Sequence, residues 1–387
     1  MILGVVFSAV LLAATHQHAT PQKGMRTPTV VFDAKAQAWR VWIDDDHVLV
    51  STSADRGKSW RAATRVTREP EKIDANGESR PKIALGTKNE VYVTWTRSGT
   101  KPYTGDVRFA RSLDGGKTFE APRTINDDGV ETGHRFDALA VAADGAVHIA
   151  WIDKRDLDRA KAAKQAYEGA ALYYTLSRDR GATFAKNRKI KDNVCECCRV
   201  ATAFDAGGKL LFVWRDVMSG SIRDHALVRV SSNGSVEKVQ RATADDWKIN
   251  GCPHHGPAVA AGADGVTHMA WFTGAGPEGA GTFYGRLSAD GRPLGKRVRL
   301  TSTVNGHAAV HVRGSHVTVV WKENASESGS SIVAAVSKDG GATFGPPRPV
   351  AATSGLSDHP LLVAAHDGLY LSWFAAAEGH RLVRLES

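Results

Sequence analysis

Seven tryptophans recur through the 387-residue chain in one local context: Trp42, Trp95, Trp151, Trp214, Trp271, Trp321 and Trp373. They are separated by 53, 56, 63, 57, 50 and 52 residues. A proline precedes the tryptophan by 14 residues at Pro28, Pro81 and Pro257, and by 13 at Pro360. Between proline and tryptophan lie an apolar run, a turn such as Asp144-Gly145, Asp264-Gly265 or Asp367-Gly368, and a second apolar run that carries the indole. A period near 50 residues means stacked copies of one small unit, none of which can bury its apolar face alone. The repeat runs from about Arg26 to the C-terminus without a compositional break, so residues 20–387 read as one domain.

Within a unit the apolar runs are short and rich in Val, Ile, Leu and aromatics, which predicts strands. The second unit is representative, with strands expected over 81–85, 90–96, 106–111 and about 121–125. Four antiparallel strands per unit, set radially, make a β-propeller blade. The fold class is therefore all-β, a propeller with seven blades favoured and six as the alternative. The seventh unit supplies three strands, and residues before Arg26 are expected to add its fourth. Helical periodicity is confined to 157–169, an Ala/Lys-rich insertion.

The turn after the third strand carries a signature. It reads Ser53-Ala54-Asp55-Arg56-Gly57-Lys58-Ser59-Trp60 and Ser112-Leu113-Asp114-Gly115-Gly116-Lys117-Thr118-Phe119, and it returns as SRDRGATF at 177–184 and SKDGGATF at 337–344. The Asp accepts hydrogen bonds from turn amides, and the Gly permits a positive φ. This turn resembles the Asp-box, or BNR repeat, of the sialidase-like β-propeller superfamily, and the resemblance covers nearly the whole chain after its N-terminal segment. It implies the propeller fold. It says little about activity, because in that superfamily the boxes lie far from the active site.

The repeat also works as a ruler. The start of each first strand and the end of each second strand share one face of an antiparallel sheet, opposite the Asp-box turns. That face collects Arg26, Glu78, Arg80, His134, Arg135, Asp137, Arg199, His307, Asp358 and His359 ahead of first strands. Beyond the tryptophans it collects Asp44, Arg97, Asp153, Arg155, Arg215, Asp216 and Glu323. Of these, Arg26, Arg80, Arg135, Arg199, Arg215, Asp153, His307 and His359 are the candidate ligand-binding residues. Asp153 and Asp216 also qualify as acid/base carboxylates, although alternating charges of this kind more often pair between blades.

All four cysteines fall on the same face. Cys195-Glu196-Cys197-Cys198 leads into the fourth unit and Cys252-Pro253-His254-His255 into the fifth. Thiolates with imidazoles suit copper(I) or zinc(II), so Cys195, Cys197, Cys198, Cys252, His254 and His255 form the candidate metal site. Two alternatives stand beside it. Disulfides are one, with Cys195–Cys198 and Cys197–Cys252 the feasible pairing, since adjacent Cys197 and Cys198 lie closer than a disulfide usually allows. A redox or nucleophilic thiol at Cys197 or Cys198, its thiolate favoured by Arg199 or a histidine, is the other.

The leading functional expectation is an exported binding protein carrying a copper or zinc site. The alternatives are a glycoside hydrolase acting on an anionic glycan and a disulfide-stapled scaffold for a partner protein. Sialidase resemblance implies three arginines clamping a carboxylate, a Tyr nucleophile with its Glu, and an Asp acid/base. Arg26 in Arg26-Thr27-Pro28 and Arg80 in Arg80-Pro81-Lys82-Ile83 look like the family's first clamp residue. No Tyr falls on the functional face with a Glu partner, because Tyr173, Tyr174 and Tyr284 belong to third strands, so enzymatic activity is left open.

The formal net charge of +9 favours acidic partners such as anionic glycans. No nucleic-acid partner is expected, since no dense Lys/Arg run is interleaved with aromatics. Residues 2–14 (ILGVVFSAVLLAA) are apolar but too short to span a bilayer in the usual way. Together with the polar, small-residue stretch that follows, they predict a signal peptide over 1–19, a periplasmic or secreted location and no transmembrane segment in the mature protein.

Overall fold

A computed structural model describes residues 24–276, 278–302, 306–326 and 329–385. The expected signal peptide and the strand sought before Arg26 lie outside the described residues. The strands form seven antiparallel sheets, each ordered as the chain runs. Blade 1 comprises Arg26–Phe32, Ala38–Asp44, His47–Ser53 and Thr64–Arg65, and blade 4 comprises Ala201–Phe204, Leu210–Arg215, His225–Val230 and Gln240–Arg241. Blade 2 carries an extra short strand, Ile73–Asp74, paired along Val91–Ser98. Blade 7 has three strands among the described residues, Leu361–Ala365, Gly368–Ala375 and Gly379–Leu385. The first strands contact one another around the ring, and Leu361–Ala365 meets both Ala308–Arg313 and Arg26–Phe32. That last contact closes a seven-bladed propeller, so the choice between six and seven blades falls to seven.

Each core cluster is shared by two neighbouring blades. Val41, Val50 and Val66 of blade 1 pack with Val93 and Trp95 of blade 2, and the pattern repeats around the ring to Val30, Ala38 and Val363 between blades 1 and 7. All seven repeat tryptophans sit in second strands and are at most 6% exposed. Their indole N–H groups are buried with them and need acceptors. Trp151 donates to Asp153 Oδ2 (2.8 Å), Trp214 to Asp216 Oδ1 (3.2 Å) and Trp321 to Glu323 Oε1 (2.7 Å). In blades 2 and 5 the acceptor comes from the preceding loop instead, Glu71 for Trp95 (2.9 Å) and Asp245 for Trp271 (2.7 Å). The W-x-Asp/Glu pattern is thus an anchor for the indole, which accounts for three of the carboxylates collected on this face.

The four turns singled out from the sequence share one network. Asp114 Oδ1 accepts from Ser112 Oγ (2.7 Å) and from the Thr118 amide (3.0 Å), while Ser112 Oγ accepts from the Gly116 amide (2.8 Å). The same contacts recur around Asp55, Asp179 and Asp339. Gly181 has φ +74°, and a Cβ there would stand 2.8 Å from the Phe109 ring, so only glycine lets this turn pack on the neighbouring blade.

The insertion in blade 3 is helical over Arg155–Ala162, shorter than the expected 157–169 and starting two residues earlier. Asp153 Oδ1 accepts from the Arg155 amide (2.9 Å) and sets the start; Lys164, at φ +55°, ends it. Trp214→Ala is expected to destabilise the protein by about 3–5 kcal/mol, the usual scale for emptying a buried aromatic site. A fall in denaturant midpoint at unchanged m-value is the readout, and a midpoint shifted by less than about 1 kcal/mol equivalent would contradict the anchoring role.

Candidate functional site

The segment carrying Cys195, Cys197 and Cys198 precedes the first strand of blade 4 and is pinned to the end of the second, where the Cys195 amide donates to the Arg215 carbonyl (2.9 Å). Its three cysteines belong to the core shared by blades 3 and 4, at 1%, 4% and 1% exposure. Their sulfurs form a nearly equilateral triangle: Cys195–Cys197 3.7 Å, Cys195–Cys198 3.9 Å and Cys197–Cys198 3.9 Å. A disulfide needs about 2.05 Å. All four cysteines are free thiols, so the disulfide-stapled reading has no bonded pair to rest on.

Charge is unevenly shared in the triangle. Hydrogen bonding with Cys197 and Cys198, aided by Arg215, holds the Cys195 thiol well below its usual value. Hydrogen bonding to the other sulfurs raises Cys197, and burial raises Cys198. The bias toward thiolate falls on Cys195, not on Cys197 or Cys198, where the sequence reading places it. Arg199 is not its partner either.

The six residues of the expected metal site divide. Cys252 and His254 come to Cys197, with one ligand atom from each of the three within 4.8 Å of the others. His255 turns the other way. His254, at φ +52°, lies in the left-handed region, and the chain reverses there. His255 then stacks on His307 (centroids 4.2 Å apart), and His307 stacks on His359 (3.4 Å). These imidazoles lead into blades 5, 6 and 7, so the repeat places them side by side.

The stack borders a buried carboxylate that the sequence placed on this face without assigning it a role. Glu78 is 3% exposed. Its Oε2 accepts from the amides of Arg199 and Gly256 (both 2.9 Å), and its Oε1 accepts from Arg199 Nη1 (2.7 Å). The Nδ1 atoms of His307 and His359 lie 3.4 and 3.6 Å from Oε1, but neither forms an aligned hydrogen bond. A Cβ at Gly256 would collide with Arg199 and with Glu78 Oε2, so the glycine is what lets the blade 5 chain close on the carboxylate. Burial opposes the charge on Glu78, yet Arg199 and then His307 outweigh it and hold the carboxyl well below its usual range. Burial lowers His255, His307 and His359, keeping all three neutral near neutrality.

The remaining candidate ligand residues are largely occupied. Arg80 pairs with Asp358 (2.8 Å), Arg26 with Asp46 (3.2 Å) and Arg135 with Asp74 (2.7 Å). Arg199 also donates to the carbonyls of Pro257 and Ala308, and Arg215 to those of His255, Arg223 and Phe272. Asp153 accepts from Trp151 and Arg155. The structure thus gathers Arg80, Arg199, His307 and His359 at the axis and leaves Arg26 and Arg135 in separate pairs. Arg215 and Asp153 are braces.

No protein-family model matches the chain, and no curated protein matches it in sequence. Solved structures do. A PL25 ulvan lyase bound to -[GlcA(1-4)Rha3S]- superposes with TM-score 0.62 at 12% identity, covering 94% of each chain. The polysaccharide lyase Uly1 gives 0.57 at 10% identity over 98% of this chain and 96% of that one, and the Hadza microbial sialidase Hz136 gives 0.52 at 14% over 91% and 74%. The chain has the sialidase-like propeller fold. Within that fold the three third-strand tyrosines are internal: Tyr173 hydroxyl bonds Asp156, Tyr174 bonds His148 and Tyr284 bonds His268. This sialidase-like propeller therefore carries an imidazole stack and a thiol triangle on its functional face.

The stack has a pH consequence. Unfolded histidines take up protons near pH 6.5, whereas the folded ones resist until the pH is lower. Below about pH 6.5 the unfolded state binds more protons, so stability is full above that value and is lost as pH falls. The depressed Glu78 carboxyl acts in the same direction further down. A His307→Gln/His359→Gln variant is expected to show a shallower acid-side fall in denaturation midpoint than the wild type. Parallel curves would contradict the buried neutral stack.

Proposed function

We propose that this propeller is a binding protein for a soft metal ion, copper(I) or zinc(II), held by Cys195, Cys197 and Cys198 with Cys252 and His254 beside them. The sulfur triangle carries the reading. Metal–sulfur bonds of about 2.3 Å give sulfur–sulfur edges of about 3.8 Å in a tetrahedral site and about 4 Å in a trigonal one. The edges of 3.7–3.9 Å fit that spacing. Burial in an apolar core excludes competing water, and one thiol is already biased toward thiolate. The apolar N-terminal stretch belongs to this reading as the signal for export, where such ions are met. Among the described residues no helix is long and apolar enough to cross a membrane.

Protein purified under reducing conditions, exposed to copper(I) or zinc(II) and dialysed, should retain about one ion per chain. A Cys197→Ser/Cys198→Ser variant with unchanged circular dichroism should retain little. Equal metal in the two proteins, or none in either, would overturn the proposal.

A second reading concerns the axial mouth. Structural neighbours of this fold include a lyase bound to an acidic sulfated oligosaccharide and a sialidase. Arg80, Arg199 and the imidazole stack offer cationic and neutral donors for a carboxylate-bearing sugar, which also suits a chain of net charge +9. Titration with a sulfated uronate oligosaccharide should give saturable binding that weakens by about tenfold or more in His307→Gln/His359→Gln. Absence of saturation, or an unchanged variant, would remove the glycan reading.

A further inference from the structure

We propose that the cysteine region contains two overlapping stations for one copper(I) ion. The outer station comprises Cys252, His254 and Cys197, the inner one Cys195, Cys197 and Cys198, and a thiolate-bearing copper(I) carrier loads the outer station first. The inference rests on the soft-metal reading above and adds a route and a partner chemistry to it.

Access decides the order. Cys195, Cys197 and Cys198 are buried in the blade 3–blade 4 core, whereas Cys252 is exposed in the loop leading to blade 5. A carrier that holds its ion through its own sulfurs must bring those sulfurs to within bonding distance of the receiving thiol. Cys252 alone among the four offers that approach. Thiol exchange requires such access as well as thiolate character.

Geometry decides the continuation. Cys197 belongs to both donor sets: three sulfurs in one, two sulfurs and an imidazole in the other, with the ligand atoms of each set within 4.8 Å of one another. The Cys197 sulfur is a ligand atom of both sets, within 4.8 Å of the Cys252 sulfur on one side and of the Cys195 and Cys198 sulfurs on the other, so the two stations touch. An ion bound outside can move inward while its bond to Cys197 persists. The bond to the Cys252 sulfur breaks as that to Cys195 forms, and His254 gives way to Cys198. Any proton still on Cys195 passes to the departing Cys252 sulfur, and the proton of Cys198 passes to the released His254 imidazole. Copper stays monovalent, so no oxidant or reductant is needed.

Donor chemistry decides the direction. Replacing an imidazole by a thiolate favours a soft monovalent ion, and the inner station is shielded from water. His254, at φ +52°, offers a ligand atom to the outer set, while the adjacent His255 joins the axial stack. For a bulky histidine that conformation is sparsely populated and persists where the surroundings enforce it.

The test uses copper(I)–glutathione as donor and follows the near-ultraviolet copper–thiolate band in stopped flow, with X-ray absorption at the end point. Wild type should finish with three sulfur ligands. Cys252→Ser should reach the same end point, but load at least about tenfold more slowly, the scale on which loss of one partner at a metal site is felt. Cys195→Ser should load at the wild-type rate and stop outside, with nitrogen among its ligands. Loading of Cys252→Ser at the wild-type rate would overturn the relay while leaving metal binding intact, as would a Cys195→Ser protein that fails to take up copper at all despite native circular dichroism. A wild type that binds no copper would instead remove the soft-metal reading on which the relay stands.

Discussion

Each blade of this protein is held by an indole buried in its second strand whose N–H must find an acceptor in the interior. A carboxylate two residues on supplies it in blades 3, 4 and 6, and a loop carboxylate does so in blades 2 and 5. In blade 7 the acceptor is the backbone carbonyl of Asp358. The apolar side of the same indoles fills the cores between neighbouring blades, so the anchored residues also bind the blades into a ring.

At the axis the ring is tied by polar contacts. Glu78 of blade 2 receives hydrogen bonds from segments leading into blades 4 and 5 and lies against histidines leading into blades 6 and 7. Arg199, its partner, reaches on to the carbonyls of Pro257 and Ala308. Removing one member of a buried pair leaves an uncompensated charge, which costs far more than a surface pair contributes. The mouth is thus a rigid polar lattice, and the thiol triangle sits beside it in an apolar core. Two side-chain clusters occupy one face without sharing a residue: His254 and His255, adjacent in the chain, are divided between them.

Much of this was legible from repeats. The seven-unit count, the strand positions, the four Ser/Asp turns and the nearness of Cys252 to Cys197 are all in line with register, because a repeated unit puts equivalent residues at equivalent heights. The histidine stack was legible in part, since His255, His307 and His359 stand ahead of three consecutive first strands. What register could not supply was partnership. Asp153 and Arg215 qualified as ligand residues by position but are consumed by Trp151, Arg155 and backbone carbonyls. Glu78 qualified equally and turned out to be the hub.

The sequence by itself determined the architecture, for a period near 50 residues with an indole in every copy has few other ways to bury its apolar surface. It also determined which residue types reach the functional face. Only the tertiary structure decided how they group, because grouping depends on distances across blades and on the backbone at single positions. The positive φ at His254 separates two neighbouring imidazoles, and the packing of blades 3 and 4 sets three sulfurs 3.7–3.9 Å apart. Both lie within short stretches of chain, but the spacing of residues along the chain encodes neither; the backbone conformation and the surrounding core of blades 3 and 4 settle them.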